Sequence, residues 1–142
     1  MSYQQLDKIA DLCNPVAAVV LIILAFTFLK NAAWPFLLRN GLAVILVQQI
    51  CKLVQKRGPW GDDFPSTHFG VALALAIGFA IVKPRLWPVA LAFPILYGSL
   101  MLYQAYHTPF EMAGALFAIP LTLLFHYKPS RKPIEAAPII NN

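Results

Sequence analysis

Two histidines and a few charged residues interrupt a chain that is otherwise almost wholly apolar. His68 closes the stretch 52–68, which also holds Lys52, Lys56, Arg57, Asp62, Asp63, Ser66 and Thr67, while His107 opens a second polar segment with Glu111 four residues on. These residue types suit phosphoryl chemistry. Cations neutralise phosphate oxygens, a helix N-terminus offers unpaired N–H groups to an anion, and two imidazoles can divide the roles of nucleophile and general acid. Pro65 and Ser66 precede an apolar run, so the amides near Thr67 and His68 are placed to form an anion seat.

Each residue also has a structural reading. Thr108-Pro109-Phe110-Glu111 is a capping box, with Thr108 as N-cap, Pro109 in the first turn and Glu111 reaching back. Lys52, Lys56 and Arg57 read as cations that bury their stems and keep their heads in water. A divalent metal would draw on Asp62, Asp63, His68, His107 and Glu111, but no recognised ligand spacing supports one. His126, beside Tyr127, reads as an interfacial residue.

The elements that must position these groups follow from composition. Of 142 residues, 59% are hydrophobic and 12% charged, against about 25% charged in soluble domains. This balance describes an integral membrane protein. The fold class is all-α, a single membrane domain over 1–142 with five helical spans near 15–34, 35–54, 66–82, 86–106 and 109–127 and a polar tail at 128–142. Stretches of about 20 apolar residues cross a hydrocarbon core of about 30 Å, and Gly or Pro inside them is tolerated. Pro88 and Pro94 predict a kinked fourth helix.

The net charge of +5 comes from residues scattered at the ends of apolar runs. No basic stripe forms, so nucleic acid is not an expected partner. Asp7, Lys8 and Asp11 do not make the positive leader of a signal peptide, and the first apolar run is expected to stay as a membrane helix.

With alternating spans, Lys8, Lys52, Lys56 and Arg57 share one side, and Lys30, Arg39, Lys83, Arg85, Lys128, Arg131 and Lys132 share the other. The larger basic group belongs in the cytoplasm. Trp34 and Trp87 then mark the cytoplasmic interface and Trp60 the opposite one. Alternation also brings the His68 and His107 segments to one non-cytoplasmic face, where ionisable residues at the membrane are functional candidates. Cys13 and Cys51 reach the same face, where a disulfide is permitted although two free thiols remain the simpler reading.

Three segments carry a resemblance. PSTH at 65–68 resembles the P-S-G-H motif of the type 2 phosphatidic acid phosphatase and vanadium haloperoxidase superfamily. HTPFEMAGA at 107–115 is similar to its H-x-x-x-D segment, and KLVQKRGP at 52–59 is similar to its first motif, a lysine followed at a distance by R-P. The resemblance implies a membrane phosphatase acting on a lipid phosphate or diphosphate, such as a polyprenyl diphosphate, phosphatidylglycerophosphate, phosphatidate or lipid A. It gives His107 the nucleophile's role through a phosphohistidine, His68 that of the acid for the leaving oxygen, and Glu111 that of orienting His107. Lys52, Arg57 and Ser66, with Thr67 in the same seat, would hold the phosphate, and the family mechanism needs no metal or other cofactor.

The chain departs from the family pattern at three points. Arg57 comes two positions early, Thr67 replaces a glycine, and Met101 stands where the third motif has its arginine. The alternative expectation is therefore a non-catalytic member that binds a lipid head group or a partner protein. The default location for so small a chain is a bacterial inner membrane, with the site facing the periplasm or exterior.

Overall fold

Long runs of Leu, Ile, Val and Ala leave the backbone few ways to satisfy its own polar groups away from water, and helix is the local solution. The computed structural model describes residues 3–127, with side chains described from residue 8. Every regular element among them is helical: α1 (Tyr3–Leu29), α2 (Ala33–Arg57), α3 (Thr67–Val82), α4 (Trp87–Tyr103), α5 (Pro109–Gly114) and α6 (Ala118–His126). Short 3₁₀ turns precede α2, α4 and α6. The polar tail expected at 128–142 lies outside the described residues.

Three helical stretches are long and apolar enough to cross a membrane: Lys8–Arg57, Pro84–Tyr103 and Pro109–His126. The first is a hairpin. Lys30 takes a φ of 47°, and α2 returns beside α1, so that the rings of Phe26 and Trp34 meet edge to face at 5.4 Å. The helix α3, apolar but 16 residues long, measures about 24 Å at 1.5 Å per residue.

The helices depart from the expected spans for local reasons. α1 starts at Tyr3 and carries Pro15 inside it; a proline there removes one backbone bond without ending the helix. The last expected span is broken by a 3₁₀ turn at Ala115–Phe117 that separates α5 from α6. In α4, Pro88 occupies the first turn and Pro94 the interior.

The central element is α3, which packs against α1, α2, α4 and α6. Small residues at Gly70, Ala74 and Gly78 recur every fourth position and let α2 come close, as small residues do between membrane helices. A Cβ at Gly70 would lie 2.9 Å from Val47, and one at Gly78 would lie 2.8 Å from Leu21 and 2.9 Å from Asn40. Outside, the bundle is apolar: Val19, Ile23 and Phe26 on α1, Leu38, Leu42 and Ile45 on α2, and Leu91, Ile95 and Leu96 on α4 are all exposed. Such broad apolar faces suit a hydrocarbon surround. The hydroxyls of Thr27, Ser99 and Thr122 donate to carbonyls four residues back, at 2.7–2.8 Å, and so need no water.

Candidate active site

The N-terminal half of α1, the C-terminal half of α2, the start of α3 and the α4–α5 connection converge at one end of the bundle. They border a cavity of about 520 Å³ lined by Lys52, Asp63, Thr67, His68 and His107 among the residues singled out by sequence. The two imidazole rings stand 6.3 Å apart, centroid to centroid. Tyr106 lies against both, at 5.4 Å from His107 and 6.2 Å from His68.

His107 is the buried member, with 7% of its side chain exposed, and its Nδ1 lies 2.8 Å from Oε2 of Glu111. A carboxylate accepts only, so the Nδ1 proton belongs to this bond in the neutral ring and Nε2 keeps its lone pair. That Nε2 is buried and has no hydrogen-bond partner. Glu111 serves the helix end as well. Its Oε2 accepts from the amide of Thr108 at 3.1 Å, while its own amide donates to Oγ1 of Thr108 at 3.3 Å, completing the capping box. The capping and orienting roles therefore coexist in one carboxylate.

The start of α3 is tied to the same carboxyl-bearing residue. The amide of Ser66 donates to the backbone carbonyl of Glu111 at 2.9 Å, which fixes the distance between the two histidine segments. Below this bond Phe64 stacks on Phe110 at 4.6 Å. Gly114 is needed there, because a Cβ would run into the Phe64 ring and Pro65. The Phe64–Pro65 peptide is cis.

Ser66 is fully buried, and its Oγ accepts from the amide of Phe69 at 3.3 Å as the N-cap of α3. It does not line the cavity; it shapes the seat from behind. With Phe69 N held by Ser66 Oγ and Gly70 N by Ser66 O, the orphan donors at this end are the amides of Thr67 and His68. Arg57, the last residue of α2, is exposed and does not line the cavity. Met101, only 1% exposed, packs with Ala10, Ala72 and Tyr97.

Several lining groups escaped the sequence reading. Gln48 and Gln55 flank Lys52 at spacings of four and three, one polar face of α2, and Asp11 and Asn14 make a similar pair on α1. This helical spacing is the signal that could have found them. Gln55 donates to the carbonyl of Pro65 at 2.9 Å and meets Thr67 Oγ1 at 3.2 Å. Asn14 donates to the carbonyl of His68 at 2.9 Å, so α1 and α2 both brace the first turn of α3. Of the two aspartates in the loop, Asp63 lines the cavity and Asp62 does not. Among the described residues no group of three or more His, Cys, Asp or Glu side chains is arranged to hold a metal, and Cys13 and Cys51 are free thiols.

The arrangement offers a buried lone-pair nitrogen backed by a carboxylate, a second imidazole across the cavity, one lysine, and two helix-end amides. No family model, curated protein or solved structure matches this chain.

Proposed function

We propose that the protein is a membrane phosphatase that hydrolyses a lipid phosphate or diphosphate through a phosphohistidine. The observation that carries this reading is His107: Nδ1 held by Glu111, Nε2 buried and unpartnered, and His68 facing it across a cavity that Lys52 also lines. In the first step Nε2 of His107 attacks phosphorus while the bond to the leaving oxygen breaks and protonated His68 delivers its proton to that oxygen. In the second step neutral His68 takes a proton from water, the hydroxide attacks phosphorus, and the P–N bond breaks to release phosphate. Lys52 and the amides of Thr67 and His68 offset the charge on the non-bridging oxygens, a contribution of roughly 2.7 to 4 kcal/mol per preorganised contact.

The surroundings support a lipid as the bearer of that phosphate. The cavity opens at the end of a bundle whose sides are apolar, so the tail can lie along the exposed faces of the helices while the head group enters. In this reading the hairpin α1–α2 contributes two crossings, α3 and α4 one each, and α5–α6 the fifth. The distribution of basic residues supports a non-cytoplasmic face for the cavity, in a bacterial inner membrane the periplasmic one.

Met101 favours a second reading, a non-catalytic protein that binds a lipid head group, because the buried methionine removes a cation that the resembling family carries. One assay separates the two. The protein in detergent is offered a panel of lipid phosphates, and released phosphate is measured beside His107→Ala and His68→Ala. Release that both substitutions abolish supports the phosphatase; binding without release from any lipid supports the binder, and release that survives both sinks the mechanism.

A further inference from the structure

The described carboxylates of this bundle gather at one end. The four carboxylates whose side chains are described, Asp11, Asp62, Asp63 and Glu111, all belong to the cavity end. Lys30, Arg39, Lys83 and Arg85 occupy the other, with no described carboxylate beside them. Lys83 has a partner of its own, its Nζ standing 4.0 Å over the ring of Phe28. Lys30 and Arg85 lie exposed in the 3₁₀ turns.

Arg39 differs from these. It sits two turns inside α2, half-buried, and with His126 it lines a notch of about 360 Å³ whose other walls include Leu29, Pro35, Phe36 and Ile81. The imidazole of His126 is fixed from two directions: Phe36 packs against its ring at 5.1 Å, and Nε2 donates to Oδ1 of the buried Asn40 at 3.2 Å. A guanidinium without an ion pair among the described residues thus shares a preformed, apolar-walled recess with an oriented imidazole.

We propose that this notch binds a phosphate group, carried by an anionic lipid of the adjoining leaflet or free in solution. A guanidinium presents its donors as a planar fork that matches phosphate oxygens, and among the described residues no carboxylate at this end supplies the opposite charge. The volume admits a phosphate and a short linker but not a pair of acyl chains, which would leave along the apolar walls. Trp34, exposed in the first turn of α2, belongs at the level of lipid head groups. Occupancy would fasten the α1–α2 turn to α6. The site lies at the opposite end from His68 and His107 and stands whether or not that cavity is catalytic.

The test compares lipid retention and thermal unfolding in nanodiscs of phosphatidylcholine alone and of phosphatidylcholine with phosphatidylglycerol, with inorganic phosphate added to the first as a soluble arm. Expected is preferential retention of phosphatidylglycerol and a higher unfolding temperature, with Arg39→Gln weakening retention about tenfold or more and Arg85→Gln leaving it in place. Stabilisation by inorganic phosphate that Arg39→Gln removes also supports the site and identifies a soluble ligand as sufficient. Equal retention of the two lipids, with no effect of phosphate, overturns the proposal, as do equal losses in the two variants. Should Arg39→Gln not fold, a photoreactive phosphatidylglycerol on the unmodified protein decides: crosslinks within 29–39 and 119–126 support the notch, and crosslinks confined elsewhere overturn it.

Discussion

The two ends of the bundle each hold a histidine pinned by one polar side chain, and they differ in the charge of that partner. At His107 the partner is the carboxylate of Glu111, at 2.8 Å; at His126 it is the amide of Asn40, at 3.2 Å. A carboxylate holds the ring's proton on Nδ1 and stabilises the cation that forms when Nε2 shares its lone pair with an electrophile. An amide oxygen orients the ring with no net charge, so His126 can brace a helix but lacks support for nucleophilic chemistry. The same side chain in the same bundle is thus given different work by its neighbour, and the rest of each site follows suit: a second histidine at one end, an arginine at the other.

The largest effect that could break this comparison is at the ring itself. His107→Ala should lower phosphate release from a lipid phosphate by about 10⁴-fold or more, because the covalent route loses the group that attacks phosphorus. His126→Ala should appear instead as a stability loss of about 1 to 3 kcal/mol from the lost Asn40 partnership, with turnover per folded molecule changed far less than at His107. Comparable losses of turnover at the two positions would erase the distinction. Next in size is His68→Gln, expected to cost about 10²- to 10⁴-fold as a general acid does. The loss should shrink for a phosphate ester with an acidic leaving group, measured by comparing an aryl with an alkyl phosphate; an equal loss for both would remove His68 from the leaving oxygen.

Glu111→Gln comes third and isolates charge from geometry. Glutamine keeps the capping box, so unfolding should move little, whereas turnover should fall about 10²-fold as the imidazolium loses its counter-charge. That corresponds to about 2.7 kcal/mol of transition-state stabilisation. If melting falls with turnover in parallel, the carboxylate is a cap and the contrast with Asn40 carries no chemistry.

How much of this was readable in the sequence depends on the range of the interaction. The apolar stretches, the capping box at Thr108 and the pairing of the His68 and His107 segments follow from composition, local spacing and alternation, and the structure has the helices, the box and the shared cavity. The reversal between the first two helices was expected at Trp34 and Pro35, but it falls at Lys30. Pro35 is compatible with the first turn of α2, where amides have no intrahelical partner. The resemblance gives Ser66 a part in holding phosphate; in the structure its Oγ accepts from the amide of Phe69 as the cap of α3, since a serine before a helix meets its own backbone first. The partnership of His126 with Asn40 spans 86 positions and depends on α6 crossing α2. No local pattern could announce it, and read alone His126 resembled an interfacial residue.

The smallest predicted effect probes how closely the far end is fitted. Gly78 faces Asn40 and Leu21 so closely that an added methyl would press on Oδ1 of Asn40, the atom that accepts from His126. Gly78→Ala gains helix propensity of about 0.8 to 1 kcal/mol but forces Asn40 to give way, with overpacking costs of about 1 to 3 kcal/mol. The net change should be destabilising by about 1 kcal/mol, and adding Asn40→Ala to it should cost less than Asn40→Ala alone, because both act on one contact. A double-mutant cycle in thermal unfolding measures that coupling. Strict additivity would mean that Gly78 meets only Leu21, and that the carbonyl oxygen of the Asn40 side chain is held in place by something other than the close approach of α3.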